Sequence, residues 1–281
     1  MDIRIVTDST CDLPEAVVNE HGITVIPMYI NQGENSYRDG VDITRDEFYR
    51  QLPGFRPAPS TATPSTEAFC QTWTELADAG AQAILSIHLS EKLSATVNAA
   101  HVAAEEFTRI PVTVLDSSQL SLGMGFIVEK AAEMAKLGHK MEDILASLHE
   151  LMKRTYVFAS LNTLEYLRRS GRMNSAQARF GEFLQIKPLL HMNQGEPVAH
   201  RVRTQGKATE RMMEWLAEYA PFEKLAIVHA GVVHEAEEML QRVKHYLPNG
   251  EIPVVQITPT LGAHLGVGAL GFACITAKEL S

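Results

Sequence analysis

Cysteine is scarce in this chain of 281 residues: Cys11, Cys70 and Cys274 stand far apart and odd in number. Without close pairs there is no redox motif and no cysteine zinc site, so the three read as reduced, mostly buried thiols. Positive charge is also short, with 25 Lys and Arg against 34 Asp and Glu and a formal net charge of -9. Nucleic-acid affinity comes largely from cations that neutralise phosphates, so DNA and RNA are not expected partners. No stretch is long and apolar enough to span a bilayer, and the start Met-Asp-Ile-Arg-Ile-Val-Thr-Asp lacks a cationic segment followed by an apolar run. A cytoplasmic protein is the expectation. The G-x-S-x-G elbow and the Gly-Lys-Ser/Thr loop are missing too, which removes the usual markers of serine hydrolases and nucleotide hydrolases.

What is present is ordinary globular composition, 45% hydrophobic and 21% charged, enough for a sizeable core in one large domain or two smaller ones. Strands are expected at 3–7, 23–30, 83–89 and 111–115, and helices at 14–21, 64–79, 93–107, 120–136 and 141–153, the fourth of these interrupted early by Gly123 and Gly125. Strands separated by amphipathic helices imply a mainly parallel sheet covered on both faces, a three-layer α/β/α unit. After a strand near 156–161 the texture changes. Strands at 186–192 and 197–204 joined across Asn193-Gln194-Gly195 favour an antiparallel hairpin. A helix at 207–219, a strand at 225–230, a helix at 235–246 and a strand at 254–257 follow, giving an α/β unit with a mixed sheet. A boundary near 155 divides the chain into 1–155 and 156–281, and no linker or repeat is visible.

Chemistry is sought where strands end. Residues 57–66, Pro-Ala-Pro-Ser-Thr-Ala-Thr-Pro-Ser-Thr, hold five hydroxyls just ahead of a helix starting near Pro64, a loop suited to an anion or simply to helix capping. Ser90 to Thr96 follow the strand ending at Leu89, where an open α/β sheet binds ligands. A plain N-cap explains one hydroxyl there and leaves the others as surface. Asp8-Ser9-Thr10 and Asp116-Ser117-Ser118-Gln119 repeat the pattern, which suggests one polar rim. In 258–268, glycines surround His264 and would let backbone and imidazole approach a ligand, against the ordinary alternative of a buried, hydrogen-bonded histidine. Gly266 to Gly271 spells G-x-G-x-x-G, but too little chain follows for the acidic partner of a dinucleotide fingerprint. His229 and His234 lack the one-face spacing of a helical metal pair, and no metal site is expected. Asp12 reads as the cap of the helix opening at Pro14. Arg168-Arg169-Ser170-Gly171-Arg172 reads as a solvated turn, with docking of a partner as the less favoured alternative.

Taken together, several of these segments resemble the DegV family of bacterial lipid-binding proteins, which includes the fatty acid-binding subunit of fatty acid kinase. The resemblance runs nearly the whole chain: Ile5 to Thr10, Thr61 to Ser65, Leu89 to Thr96, Leu115-Asp116-Ser117 with Gly123-Met124-Gly125, and Leu167 to Arg172. Lys187 to Leu190, Val202-Arg203-Thr204 with Lys207-Ala208, and Gly262-Ala263-His264 complete it. The chain departs from the family pattern at Ala62-Thr63 and at Leu265 and Val267. The resemblance implies two α/β domains with a fatty acid between them, its carboxylate bound by Thr61, Ser94 and His264, with no cofactor and no catalysis by this chain alone. It also implies a separate ATP-dependent kinase subunit as partner, forming an acyl phosphate that passes to an acyltransferase, with Arg168, Arg169 and Arg172 as docking candidates. A lipid or thioester hydrolase using Ser94 or Thr61 with His264, and a lipid-responsive regulator, are the alternatives.

Overall fold

The computed structural model describes residues 2–172, 187–193, 195–247 and 250–278. Its first sheet is parallel throughout, in the order β2 (Thr24–Ile26), β1 (Ile3–Asp8), β6 (Ala83–His88), β7 (Val112–Asp116). Side chains alternate across a strand, so Ile3, Ile5, Leu85 and Ile87 face one core while Val6 and Ile84 face another. Phe69 and Trp73 of the helix Thr66–Asp78, with Ala100 and Ala103 of the helix Thr96–Glu106, cover the second face. The first face lies on the helix Ser121–Lys136.

The second sheet is mixed and runs β10 (Glu196–Val202), β9 (Lys187–Asn193), β8 (Thr155–Ser160), β13 (Leu270–Thr276), β11 (Phe222–His229), β12 (Val254–Gln256). Only β11 and β12 pair in parallel. Trp215 and Leu216 from the helix Gln205–Tyr219 and Met239 from the helix Val233–Val243 pack on Phe158, Leu225 and Phe272 of one face. Val157, Val228, Ala273 and Ile275 point the other way, onto the same Ser121–Lys136 helix that covers the first sheet. The result is five layers, with one helical layer serving both sheets. Ten residues of that helix are buried, and its glycines do not interrupt it. A Cβ on Gly123 would lie 2.4 Å from Val157 Cγ2, and one on Gly125 would lie 2.5 Å from the Cys11 carbonyl oxygen. At those two positions β8 and the turn after β1 come close to the helix backbone.

Several expectations give way to the structure. The strand expected at 23–30 is two strands, because Pro27 offers no N–H to continue the ladder. The chain leaves the parallel sheet there and enters a small antiparallel one, β4 (Asn35–Arg38), β3 (Tyr29–Gln32), β5 (Ser60–Ala62). The hydroxyl-rich segment is therefore partly strand, with Thr61 paired opposite Ile30, and the next helix starts at Thr66 behind a Ser65 cap. The helix after Ser94 starts at Thr96 rather than 93. Strand β13, buried along its whole length in the middle of the mixed sheet, is an addition, as is the short helix Pro259–Leu265 before it. Asp12 does not cap the helix Glu15–His21, whose Pro14 cap position makes no side-chain bond. It turns inward, fully buried, and accepts from the Thr258 amide at 2.7 Å and from Ser121 Oγ at 2.6 Å. The hairpin of β9 and β10 forms as expected, while Ile186 and Gln194 lie outside the described residues. Among the described residues no helix is long and apolar enough to cross a membrane.

The crowding at Gly125 is against backbone, which cannot rotate aside. Gly125→Ala is expected to cost about 1–3 kcal/mol of stability in urea unfolding, whereas Gly54→Ala, which meets nothing within 4 Å, stays within about 0.5 kcal/mol of wild type. Equal midpoints for the two variants would contradict the shared-layer packing.

Candidate functional site

Thr61, Ser94 and His264 come from three separate parts of the chain and line one cavity. Thr61 is brought there by β5, Ser94 by the link between β6 and the helix Thr96–Glu106, and His264 by the helix Pro259–Leu265. Most of the remaining wall is apolar. Leu89, Leu93 and Leu120 contribute from residues before 155, and Leu167, Leu190 and Leu261 from residues after it. Leu265, one of the departures from the family pattern, adds further apolar surface. A few polar groups among many aliphatic ones is the arrangement that holds an amphipathic ligand by its body and orients it by its head.

The His264 ring nitrogen Nε2 lies 2.9 Å from Thr61 Oγ1. Its Nδ1 is enclosed and has no hydrogen-bond partner among the described residues. Burial, and secondarily the charge of Arg172, push the His264 pKa down to about 4, so the imidazole is neutral at pH 7. A neutral ring protonated on Nε2 donates to Thr61 Oγ1 and leaves the Thr61 hydroxyl hydrogen free to point into the cavity. Ser94 Oγ lies 2.9 Å from Thr96 Oγ1 and is a weaker acceptor for the Thr96 amide at 3.4 Å. Thr96 Oγ1 also reaches Met28 Sδ at 3.6 Å, and Met28 lines the cavity. The Thr61 hydrogen is thus free for a ligand anion, whereas Ser94, which donates to Thr96 Oγ1 while Thr96 donates to Met28 Sδ, offers a donor by rotating its hydrogen away from Thr96.

Arg172 lines the same cavity, whereas Arg168 and Arg169 are tied to Glu165 on the surface, at 2.9 Å and 2.7 Å. Of the hydroxyls in 57–66, Thr61 lines the cavity, and the start of the following helix does not. The polar rim expected at the strand ends is mostly an internal network. Asp8 accepts from His88 Nδ1 at 3.0 Å and from the Leu89 amide at 3.2 Å, and Ser90 Oγ donates to the Gly195 carbonyl at 2.7 Å. The glycines near His264 serve packing. A Cβ on Gly262 would lie 2.5 Å from Tyr49 Oη, and one on Gly266 would lie 2.2 Å from the Tyr166 ring. Met28, Thr260 and the leucine wall went unnoticed in the sequence because they look like any other core or loop residues. His229 is buried and accepts from the Val232 amide through Nδ1 at 3.3 Å.

The DegV family model matches residues 2–277. A DegV domain-containing protein of Streptomyces coelicolor is 35% identical over 275 residues, which are 96% of each chain. Among solved structures, DegV of Bacillus subtilis, described as a fatty acid binding protein, is similar with a TM-score of 0.90 at 32% identity over 98% of this chain and 100% of that one. A fatty-acid-binding DegV family protein from Thermus thermophilus gives 0.86 at 34% identity, over 98% and 100%.

A histidine whose pKa is lower in the folded than in the unfolded chain stabilises the fold fully above the unfolded value, and that contribution is lost as the pH falls toward the folded one. For His264 the window is pH 6.5 down to about 4. His191 shifts the same way, to about 4, and Asp12, raised to about 6 by its burial, acts with the opposite sign. Neither is altered by His264→Gln, so the difference between the two proteins isolates the one ring. In ligand-free protein the wild type is expected to lose on the order of 2 kcal/mol more than His264→Gln between pH 6.5 and 4, measured by urea unfolding. Parallel pH profiles would show that the ring is solvated.

Proposed function

We propose, because the chain belongs to the DegV family, that it binds a long-chain fatty acid in the leucine-lined cavity and holds the carboxylate with Thr61, Ser94 and His264. The observation that carries this reading is the convergence of those three side chains in one otherwise apolar cavity. About 0.8 kcal/mol is gained for each CH₂ removed from water, so a tail of about sixteen carbons offers a gross gain of about 12 kcal/mol. The carboxylate is ionised at neutral pH and is costly to bury without donors. Thr61 and Ser94 supply O–H donors, with Nε2 of His264 turning the Thr61 hydroxyl outward. Arg172 at the cavity wall adds a positive charge, and among the described residues it makes no ion pair of the kind that holds Arg168 and Arg169.

On this reading the chain presents its carboxylate to a separate ATP-dependent kinase. A carboxylate oxygen attacks the γ-phosphorus, the bond to ADP breaks, and the acyl phosphate passes to an acyltransferase. Nucleotide and metal belong to the kinase. Support for that partnership is the family resemblance, and the exposed Arg168 and Arg169 are the docking candidates. The close pairing of Thr61 with His264 also favours a second reading, hydrolysis with Thr61 or Ser94 as nucleophile. Two features count against it. No carboxylate orients His264 among the described residues, since its Nδ1 has no partner, and a base with a pKa near 4 is a weak one at pH 7. A lipid-responsive regulator would share the cavity and differ only in what the loaded protein meets next.

Thr61→Ala and Ser94→Ala each remove a donor to a buried anion, and His264→Ala removes the ring that orients the Thr61 hydroxyl. Each is expected to weaken fatty acid binding about 10–100-fold in calorimetric titration of delipidated protein, with the fold intact by circular dichroism. Wild-type affinity in all three would sink the assignment. Steady ester hydrolysis that vanishes in Ser94→Ala or Thr61→Ala would favour the hydrolase instead. Arg168→Glu with Arg169→Glu should leave fatty acid affinity unchanged and lower kinase-coupled acyl phosphate formation, and unaffected turnover would remove these two residues from docking.

A further inference from the structure

Asp39 follows β4 directly and is buried, with 2% of its surface exposed. Its Oδ2 accepts from two directions, from the Thr260 amide at 3.2 Å and from Ser9 Oγ at 3.0 Å. On the first branch, Thr260 belongs to the helix that carries His264, and His264 meets Thr61. On the second, Ser9 Oγ accepts from the Met28 amide at 3.1 Å, and the Asp39 amide donates to the Met28 carbonyl at 2.8 Å. Met28 Sδ accepts from Thr96 Oγ1, which is the neighbour of Ser94. One oxygen atom thus stands at the branch point between the His264 and Thr61 side of the cavity and its Ser94 side.

We infer that Asp39 is a positioning residue for the head-group site, fixing the helix of His264 and the segment of Met28 against each other so that Thr61 and Ser94 face one ligand anion. The inference rests on the reading of that site as the carboxylate-binding one. A buried carboxylate is a poor device for stability alone. It loses hydration, and burial raises its pKa above the usual range, with Arg45 giving only partial relief. What it provides is an acceptor with lone pairs for two donors that arrive from elements far apart in sequence. Its Oδ1 has no hydrogen-bond partner among the described residues, so the positioning falls to Oδ2. An asparagine can put its carbonyl oxygen in the Oδ2 place and its amide nitrogen in the Oδ1 place, keeping both contacts without the charge.

The test uses the full chain, delipidated, with palmitate as probe and two readouts, palmitate affinity by calorimetry and the His264 pKa by imidazole NMR titration. In Asp39→Ala the helix of His264 loses its anchor. Palmitate affinity is expected to fall about tenfold, and the His264 pKa to rise by about one unit or more toward 6.5 as water reaches the ring. In Asp39→Asn both values are expected to stay near wild type. Should Asp39→Ala not fold, Ser9→Ala cuts the branch to Met28 and is expected to lower palmitate affinity about threefold. Wild-type affinity and His264 pKa in a folded Asp39→Ala, wild-type affinity in Ser9→Ala where that variant stands in, or an Asp39→Asn as impaired as the alanine variant, would overturn the positioning role. If Thr61→Ala, Ser94→Ala and His264→Ala all bind palmitate normally, the site reading itself fails. If they lose binding while Asp39→Ala does not, only the inference about Asp39 fails.

Discussion

The helix Ser121–Lys136 packs on a sheet with each side, and the rest of the architecture is arranged around that shared burial. Two sheets can use one helix only if each approaches it closely, and at Gly123 and Gly125 β8 and the turn after β1 leave no room for a methyl group. From Ser121 to Val128 every residue of the helix is buried, so Leu122, Met124, Phe126, Ile127 and Val128 show little amphipathic period there, and Glu129, Lys130 and Glu133 come only beyond them. The same sharing explains why one apolar cluster contains residues such as Ile5 and Leu85 together with Val228 and Ile275. The two sheets meet through a common core as well as through surface contacts.

A seam of this kind has consequences at its edge. The leucine-lined cavity is walled by side chains from both halves, and the segments around it belong to neither of the two large sheets. Thr61 sits on a three-stranded sheet, and His264 on a helix of only seven residues. A helix that short is marginal by itself, and its first amides lack partners within it. Here the amides of Thr258 and Thr260 are taken by Asp12 and Asp39, carboxylates supplied by the first half of the chain. Buried charge is exchanged for fixed geometry where the scaffold by itself provides little.

Much of the scaffold was legible in the sequence because periodicity reports burial. β1, β6 and β7 are short β-branched or aliphatic runs, and the helices between them carry one apolar face, so the parallel sheet and its cover could be read directly. The small sheet could not. Asn35 to Arg38 is polar and largely exposed, and Thr61 looks like any residue of a hydroxyl-rich loop. Strand β13 was hidden for the opposite reason: with all seven residues buried it shows no alternation, and glycines at 266, 268 and 271 gave it the look of a loop. Those glycines accommodate Tyr166, Asn162 and the β8 backbone, contacts set by residues about a hundred positions away. Asp12 reads as a cap because the nearest helix is two residues on, yet its partners are at 121 and 258. Local pattern identifies elements, and it is silent on which distant element a polar side chain will serve.

The chemistry of the proposed head-group site follows from the same balance of burial and charge. Enclosing His264 beside Arg172 makes its protonated form expensive, so the imidazole is held as a neutral hydrogen-bond partner. On the carrier reading, two hydroxyls, one of them turned outward by the neutral ring, would solvate the carboxylate, and Arg172 at the cavity wall would add positive charge beside them. Affinity would then come mainly from the tail among the leucines, so the head group would need only enough donors to offset its desolvation. It could stay reactive because it would not be the main source of binding.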